Sequence, residues 1–134
     1  MKKVVAKALI TNKNDQLLLL YRSNTHPNLP GQLDLPGGEV ENGEHWEDAV
    51  VREIQEETAI MVPPATLKKL FEKQYSNVKH VLYITKINKI DPTIVLSWEH
   101  SDFKWYKKEI LLKEFLSKNV DPYFKDVIQY LKTT

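Results

Sequence analysis

Apolar and polar positions along this chain alternate in some stretches and recur at helical spacing in others. Together they predict strands first, then a helix, more strands and two closing helices. Val4 to Thr11 is rich in β-branched and small apolar residues and predicts a strand. Asn12-Lys13-Asn14-Asp15 predicts a turn, with Leu17 to Arg22 as the partner strand. The unbroken run Leu17–Leu20 predicts burial on both faces. Ser23 to Gly31, with prolines and asparagines, predicts a loop. Its length permits contact with a ligand through His26 or Asn28, although the plainer expectation is that both line a surface loop.

Leu33 to Leu35 predicts a short strand leading into Pro36-Gly37-Gly38, and Asn42-Gly43 a tight turn. A helix follows, with Glu44 at its start, where a carboxylate favours the positive helix end. Val50, Val51, Ile54 and Thr58 give this helix an apolar side, and Pro63-Pro64 rules out its continuation. Leu67 to Gln74 and Val78 to Ile87 predict two strands joined near Ser76-Asn77. Asp91-Pro92 begins a loop, Thr93 to Trp98 predicts an extended segment, and Glu99 to Asp102 reads as polar loop. Phe103 to Tyr106 predicts a short strand, and Lys108 to Leu116 a helix. Asp121-Pro122 is a good helix start, followed by an apolar stripe of Tyr123, Val127, Tyr130 and Leu131. This order suits an α+β or mixed α/β fold.

The candidate chemistry lies in the first helix. Glu53, Glu56 and Glu57 are three and four residues apart, a spacing that puts their carboxylates on one helix face. Clustered like charges weaken an isolated helix by about 0.2–0.5 kcal/mol per pair, which a hard divalent cation would offset. The expectation is that the apolar side packs on a sheet while all three carboxylates look into a cleft. A plainer alternative is the solvated face of an amphipathic helix. Glycines at 37 and 38 let backbone approach a ligand or metal closely.

Composition narrows the classes. A length of 134 residues suits one domain, 1–134, with a real core. The net charge of +1 suggests no nucleic-acid polymer as partner. The absence of cysteine excludes disulfides, a thiolate zinc site and a cysteine nucleophile. No apolar run approaches the roughly 20 residues that span a bilayer, and the N-terminal apolar stretch is broken by Lys7 and Asn12. The expectation is a soluble cytoplasmic protein with no membrane partner.

Gly38 to Ile60 resembles the Nudix box, GX5EX7REUXEEXGU, U being a bulky aliphatic. Gly38, Glu44, Arg52-Glu53, Ile54, Glu56-Glu57 and Ile60 match it, and Ala59 stands where the family has glycine. The resemblance implies an α/β/α sandwich around a central mixed sheet, with the box as a loop-helix-loop catalytic unit. It implies metal-dependent hydrolysis of a nucleoside diphosphate linked to another moiety X, with Mg2+, or Mn2+, as cofactor. Glu56 and Glu57 match the metal-binding pair, and Gly38 a position whose backbone carbonyl often joins them. Glu53 matches a position described as metal ligand or general base. Arg52 matches the residue that orients the carboxylates, and Glu44 braces the loop and the arginine. Glu47 and Asp48 match nothing and read as solvated charges. A further acid often arrives from a later loop; Glu99 is the first candidate and Asp102 the second.

For the substrate, Gly37 and Gly38 are expected to approach it with their backbone. Asn119 and Asp121 precede the last helix, where MutT-like members read a purine edge, although a helix cap is the plainer role for Asp121. Tyr21, Tyr75, Tyr83, Trp98, Trp105, Tyr106, Tyr123 and Phe124 offer stacking surfaces. Tyr75-Ser76 stands where the ADP-ribose branch usually has proline. Elimination and small size favour a MutT-like nucleoside triphosphate pyrophosphohydrolase, a small nucleotide being its partner. A dinucleoside polyphosphate or nucleotide-sugar hydrolase, or a noncatalytic nucleotide sensor, is the alternative. Relatives that pair suggest a homodimer.

Overall fold

The computed structural model describes residues 3–27, 29–115 and 122–133. Its elements are β1 (Lys3–Thr11), β2 (Leu17–Arg22), β3 (Leu33–Asp34), β4 (Gly37–Glu39), α1 (Trp46–Thr58), β5 (Lys68–Tyr75), β6 (Val78–Lys86), β7 (His100–Tyr106), α2 (Lys108–Phe115) and α3 (Pro122–Lys132). Among the described residues, seven strands form one mixed sheet. β1 runs parallel to β6 from Lys3↔Val78 to Thr11↔Lys86, and β5 closes that side antiparallel to β6.

The expected hairpin of β1 and β2 is reduced to a single pairing, Thr11↔Leu17. The two strands splay, and residues 33–39 fill the gap between them. β3 pairs with β2 at Leu20↔Asp34, while β4 pairs with β1 at Ala6↔Gly38. β2 pairs mainly with β7 on its other edge. The tight turn predicted at 12–15 does form, but the ladder partners of both strands come from distant sequence.

Burial explains why both faces of the sheet are covered. Ala6, Ala8 and Ile10 of β1 and Leu18 and Leu20 of β2 pack with Val50 and Ile54 of α1. The alternate residues Leu9, Leu17 and Leu19 pack with Leu111 of α2 and Val127, Ile128 and Leu131 of α3. Successive strand residues point to opposite faces, so the leucine run feeds both layers. The result is a sheet sandwiched between helices. Among the described residues, no helix is long and apolar enough to cross a membrane.

Three local expectations change. Thr93 to Trp98 forms no strand; Ile94 and Leu96 turn inward against the α1 layer, and the Val95 N–H donates to Thr58 O at 3.0 Å. The polar segment at His100–Asp102 belongs to β7 rather than to a loop. Helix α1 begins at Trp46, after Glu44, whose Oε1 accepts the Glu41 N–H at 3.0 Å. Asn28, Leu116 and the cap at Asp121 lie outside the described residues.

Candidate functional site

Helix α1 lies across β4 and the start of β1, which brings its carboxylates beside the glycine pair. Glu53 and Glu57 both wall a cleft of about 540 Å³, together with Gly37, Gly38 and Glu99. Of the three carboxylates expected to look into one cleft, Glu53 and Glu57 wall it, and Glu56 does not. Glu57 is on the buried side with Val50 and Ile54, and its side chain is only 2% exposed. Glu56 is 58% exposed and is not among the groups that wall the cleft. Residues 50, 54 and 57 follow i, i+4, i+7 spacing, so the geometry of a helix puts Glu57 among the apolar groups.

Glu57 is held by its surroundings. Its Oε1 accepts the Gly37 N–H at 2.7 Å, and its Oε2 stands 3.4 Å from His100 Nδ1. Burial pushes its carboxyl up to about 9, with the charges of Asp34 and Glu53 adding to the effect. Burial also raises Glu53, against the hydrogen bond from Arg52.

Arg52 organises the other carboxylates. Its guanidinium grips Glu44, donates from Nη1 to Glu53 Oε1 at 2.9 Å, and lies 3.4 Å from both Glu56 oxygens. Hydrogen bonds from Arg52 hold the Glu44 carboxyl down at about 2. The glycines are tightly placed: a Cβ on Gly38 would stand 2.7 Å from Glu53 Cδ, and one on Gly37 would stand 2.3 Å from Ala6 O.

Lys7, Arg22 and Asp34 line the same cleft and form a knot of largely buried charge that the sequence pattern did not single out. Asp34 accepts from Lys7 Nζ at 2.5 Å, bonds His100 Nε2 at 2.9 Å and is ion-paired with the Arg22 guanidinium, its Nε 3.2 Å away. Burial opposes ionisation of Asp34, but Lys7, the His100 hydrogen bond and Arg22 outweigh it and hold the carboxyl well below the usual range. Asp34 follows the alternation of β3, and Lys7 and Arg22 stand out only as charges inside otherwise apolar strands. Along the same cleft the His80 and Tyr123 rings lie tilted to each other with centroids 4.4 Å apart, with Tyr75 edge-on to both.

Of the later acids, Glu99 reaches the cleft and pairs with His26 Nε2 at 3.6 Å. His26 also walls the cleft; burial and Arg22 lower its pKa. The Asp102 carboxylate instead accepts the Phe103 N–H at 2.8 Å and does not line the cleft. Asn119 and Asp121 lie outside the described residues.

Among the described residues, no three acidic or histidine side chains already form a metal cage. Magnesium does not require one, since it typically takes one or two carboxylates with waters and phosphate oxygens. The all-oxygen donors around Gly38 and the space that its missing Cβ leaves for Glu53 fit such an ion.

Comparison with known proteins bears on the family and the fold. The NUDIX domain family model matches residues 1–127. The 8-oxo-dGTP diphosphatase of Escherichia coli (strain K12) is 34% identical over 82 residues, covering 60% of this chain and 62% of that protein. The ADP-ribose pyrophosphatase of Methanocaldococcus jannaschii is 48% identical over 52 residues, 39% of this chain and 30% of that protein. The chain thus spans less than two thirds of the length of both curated relatives. The crystal structure of the MutT protein from Methanosarcina mazei Go1 superposes with a TM-score of 0.75 at 27% identity, covering 98% of this chain and 93% of that one.

Proposed function

This chain belongs to the Nudix family, and from that premise we propose that it hydrolyses a nucleoside diphosphate linked to a further moiety X, with a divalent metal as cofactor. The observation that carries the reading is the meeting of Glu53, Glu57 and the Gly37-Gly38 pair on one cleft wall, with Arg52 bound to Glu44, Glu53 and Glu56 behind it.

In this reading Glu57 and the Gly38 carbonyl would hold Mg2+ or Mn2+ at the cleft wall, the exposed Glu56 side chain would turn inward to join them, and Glu99 is the candidate for a further ligand. The bound metal supplies charge neutralisation and an acidified water. Glu53 is either a ligand or the base that accepts a proton from the attacking water; its raised affinity for a proton suits the second role. Arg52 restricts the rotamers of Glu53 and Glu56, so that the carboxylates need not reorganise during reaction.

The substrate is most simply a nucleoside triphosphate, cleaved to the monophosphate and pyrophosphate. Support comes from the aromatic end of the cleft, where Tyr75, His80 and Tyr123 offer a surface for a planar base, and from Lys3 and Lys7 on the same walls, which suit phosphates. The name of the E. coli relative agrees with this class. ADP-ribose is the second reading, favoured by the name of the Methanocaldococcus relative.

A panel of normal and oxidised nucleoside triphosphates, ADP-ribose, nucleotide sugars and dinucleoside polyphosphates, assayed with magnesium and manganese, tests the proposal. Release of nucleoside monophosphate is expected, lost in Glu56→Gln and Glu57→Gln variants that keep the fold. Saturable binding without turnover of any compound would instead mark a nucleotide sensor. Undiminished turnover in both variants would overturn the ligand assignment.

A further inference from the structure

We propose that His100 is a positioning residue for Glu57, clamped by Asp34 on one side so that its other ring nitrogen fixes the glutamate's orientation toward the cleft. The inference rests on the reading of Glu57 as a metal ligand and goes beyond the box, since His100 lies in β7, far along the chain.

Three observations carry it. The first is placement. His100 opens β7 and pairs with Arg22, immediately beyond a register shift between Tyr21 and Arg22. Such an irregularity re-aims side chains, and here the imidazole is fully buried, with 0% of its side chain exposed. The second is the clamp. Asp34, paired with Lys7 and Arg22, can only accept, so the ring nitrogen Nε2, 2.9 Å from Asp34 Oδ2, donates. That fixes the ring plane. The third is what the other edge faces. Among the described residues Nδ1 makes no hydrogen bond, yet it stands 3.4 Å from Glu57 Oε2. The other Glu57 oxygen takes the Gly37 N–H at 2.7 Å. The carboxylate therefore lies between a backbone donor of the glycine loop and the Nδ1 edge of the ring, which limits where Oε2 can sit. A buried imidazole with only one nitrogen bonded is costly, and its position against a single carboxylate is what a positioning role demands.

Two conservative variants separate this role from simple packing. His100→Gln puts an amide where Nε2 was, keeping the bond to Asp34 and withdrawing from Glu57. His100→Asn puts an amide where Nδ1 was, keeping the contact with Glu57 and releasing Asp34. Mn2+ affinity is measured by electron paramagnetic resonance in the absence of substrate, with thermal unfolding recorded for each protein. His100→Gln is expected to lose about 10–100-fold in affinity, and His100→Asn to stay within about threefold of wild type. Wild-type affinity in His100→Gln, or affinities that simply follow thermal stability, would overturn the proposal.

If neither variant folds, the wild-type protein labelled with nitrogen-15 histidine answers the same question. Magnesium should move the His100 Nδ1 resonance; an unmoved resonance overturns the clamp. Glu57→Gln distinguishes the two layers of inference. Wild-type Mn2+ affinity there removes the ligand reading itself, whereas weakened binding there alongside unaffected His100→Gln removes only the role of His100.

Discussion

Arg52 holds Glu44 through two parallel hydrogen bonds, Nε to Oε2 at 2.9 Å and Nη2 to Oε1 at 3.0 Å. The remaining nitrogen, Nη1, is thereby aimed at Glu53 and Glu56. The guanidinium is planar, so fixing one edge fixes the other. Glu44 thereby acts at a distance on the Glu53 and Glu56 carboxylates.

Lysine cannot reproduce that fork. Arg52→Lys is expected to lower kcat/KM by about 10–100-fold while the far-ultraviolet circular dichroism stays unchanged. Steady-state kinetics on whichever substrate the panel identifies checks this. A variant as active as wild type would show that the fork has no part in turnover.

The glycine pair makes two different predictions. At Gly38 an added Cβ meets the Glu53 carboxyl, the far end of a side chain that can shift. Gly38→Ala should fold but turn over at least about tenfold more slowly, because Glu53 is displaced. At Gly37 φ is +143°, and the Cβ would meet backbone at Ala6 O. Gly37→Ala should therefore open the β1–β4 pairing and lower the melting temperature sharply. Calorimetry beside kinetics separates the two outcomes.

Ala59 ends α1 with φ 66° and ψ 9°, in the left-handed region, and its N–H reaches Gln55 O at 2.9 Å. The chain thus keeps the backbone shape of a glycine terminator without the glycine. Alanine costs about 1 kcal/mol there. Ala59→Gly is expected to stabilise the fold by up to about 1 kcal/mol, partly offset by the freedom that glycine adds to the unfolded chain. Denaturant midpoints should rise, with metal affinity unchanged.

A pH dependence follows from Asp126 on α3. Burial works against its ionisation, but the Tyr75 hydroxyl and the Lys73 ammonium, 3.0 Å away, prevail and lower its pKa. A carboxyl whose folded pKa is lowered contributes stability above its unfolded value near 4, and that contribution is lost as the pH falls through the folded pKa. Asp126→Asn should cost about 1 kcal/mol at pH 7, low for a hydrogen bond to a charged group because the side chain is 33% exposed. The gap to wild type should close below pH 4. A constant gap from pH 7 to pH 3 would show that the charge contributes nothing to it.

The acidic cluster and its glycine-rich entrance were readable before the fold. The spacing of Gly38, Glu44, Arg52, Glu53, Glu56 and Glu57 is local, and a helix with a glycine-rich entrance follows from local propensities alone. Strands were readable for the same reason: β-branched and leucine-rich runs declare themselves. The burial of Glu57 was also present in the sequence, as its i, i+4, i+7 relation to Val50 and Ile54, but its acidic character masked the pattern.

What the sequence by itself determined is therefore which segments form elements and which acidic residues come together on one helix beside a glycine pair. Only the tertiary structure decided which strands pair, that Glu57 is enclosed while Glu56 stands exposed, and that Lys7, Arg22 and Asp34 gather on the cleft wall with His100 against Asp34. The reason is range. Helical spacing acts over a few residues, whereas the wedge of residues 33–39 between β1 and β2, and the meeting of His100 with Asp34 across 66 positions, exist only once the sheet has closed.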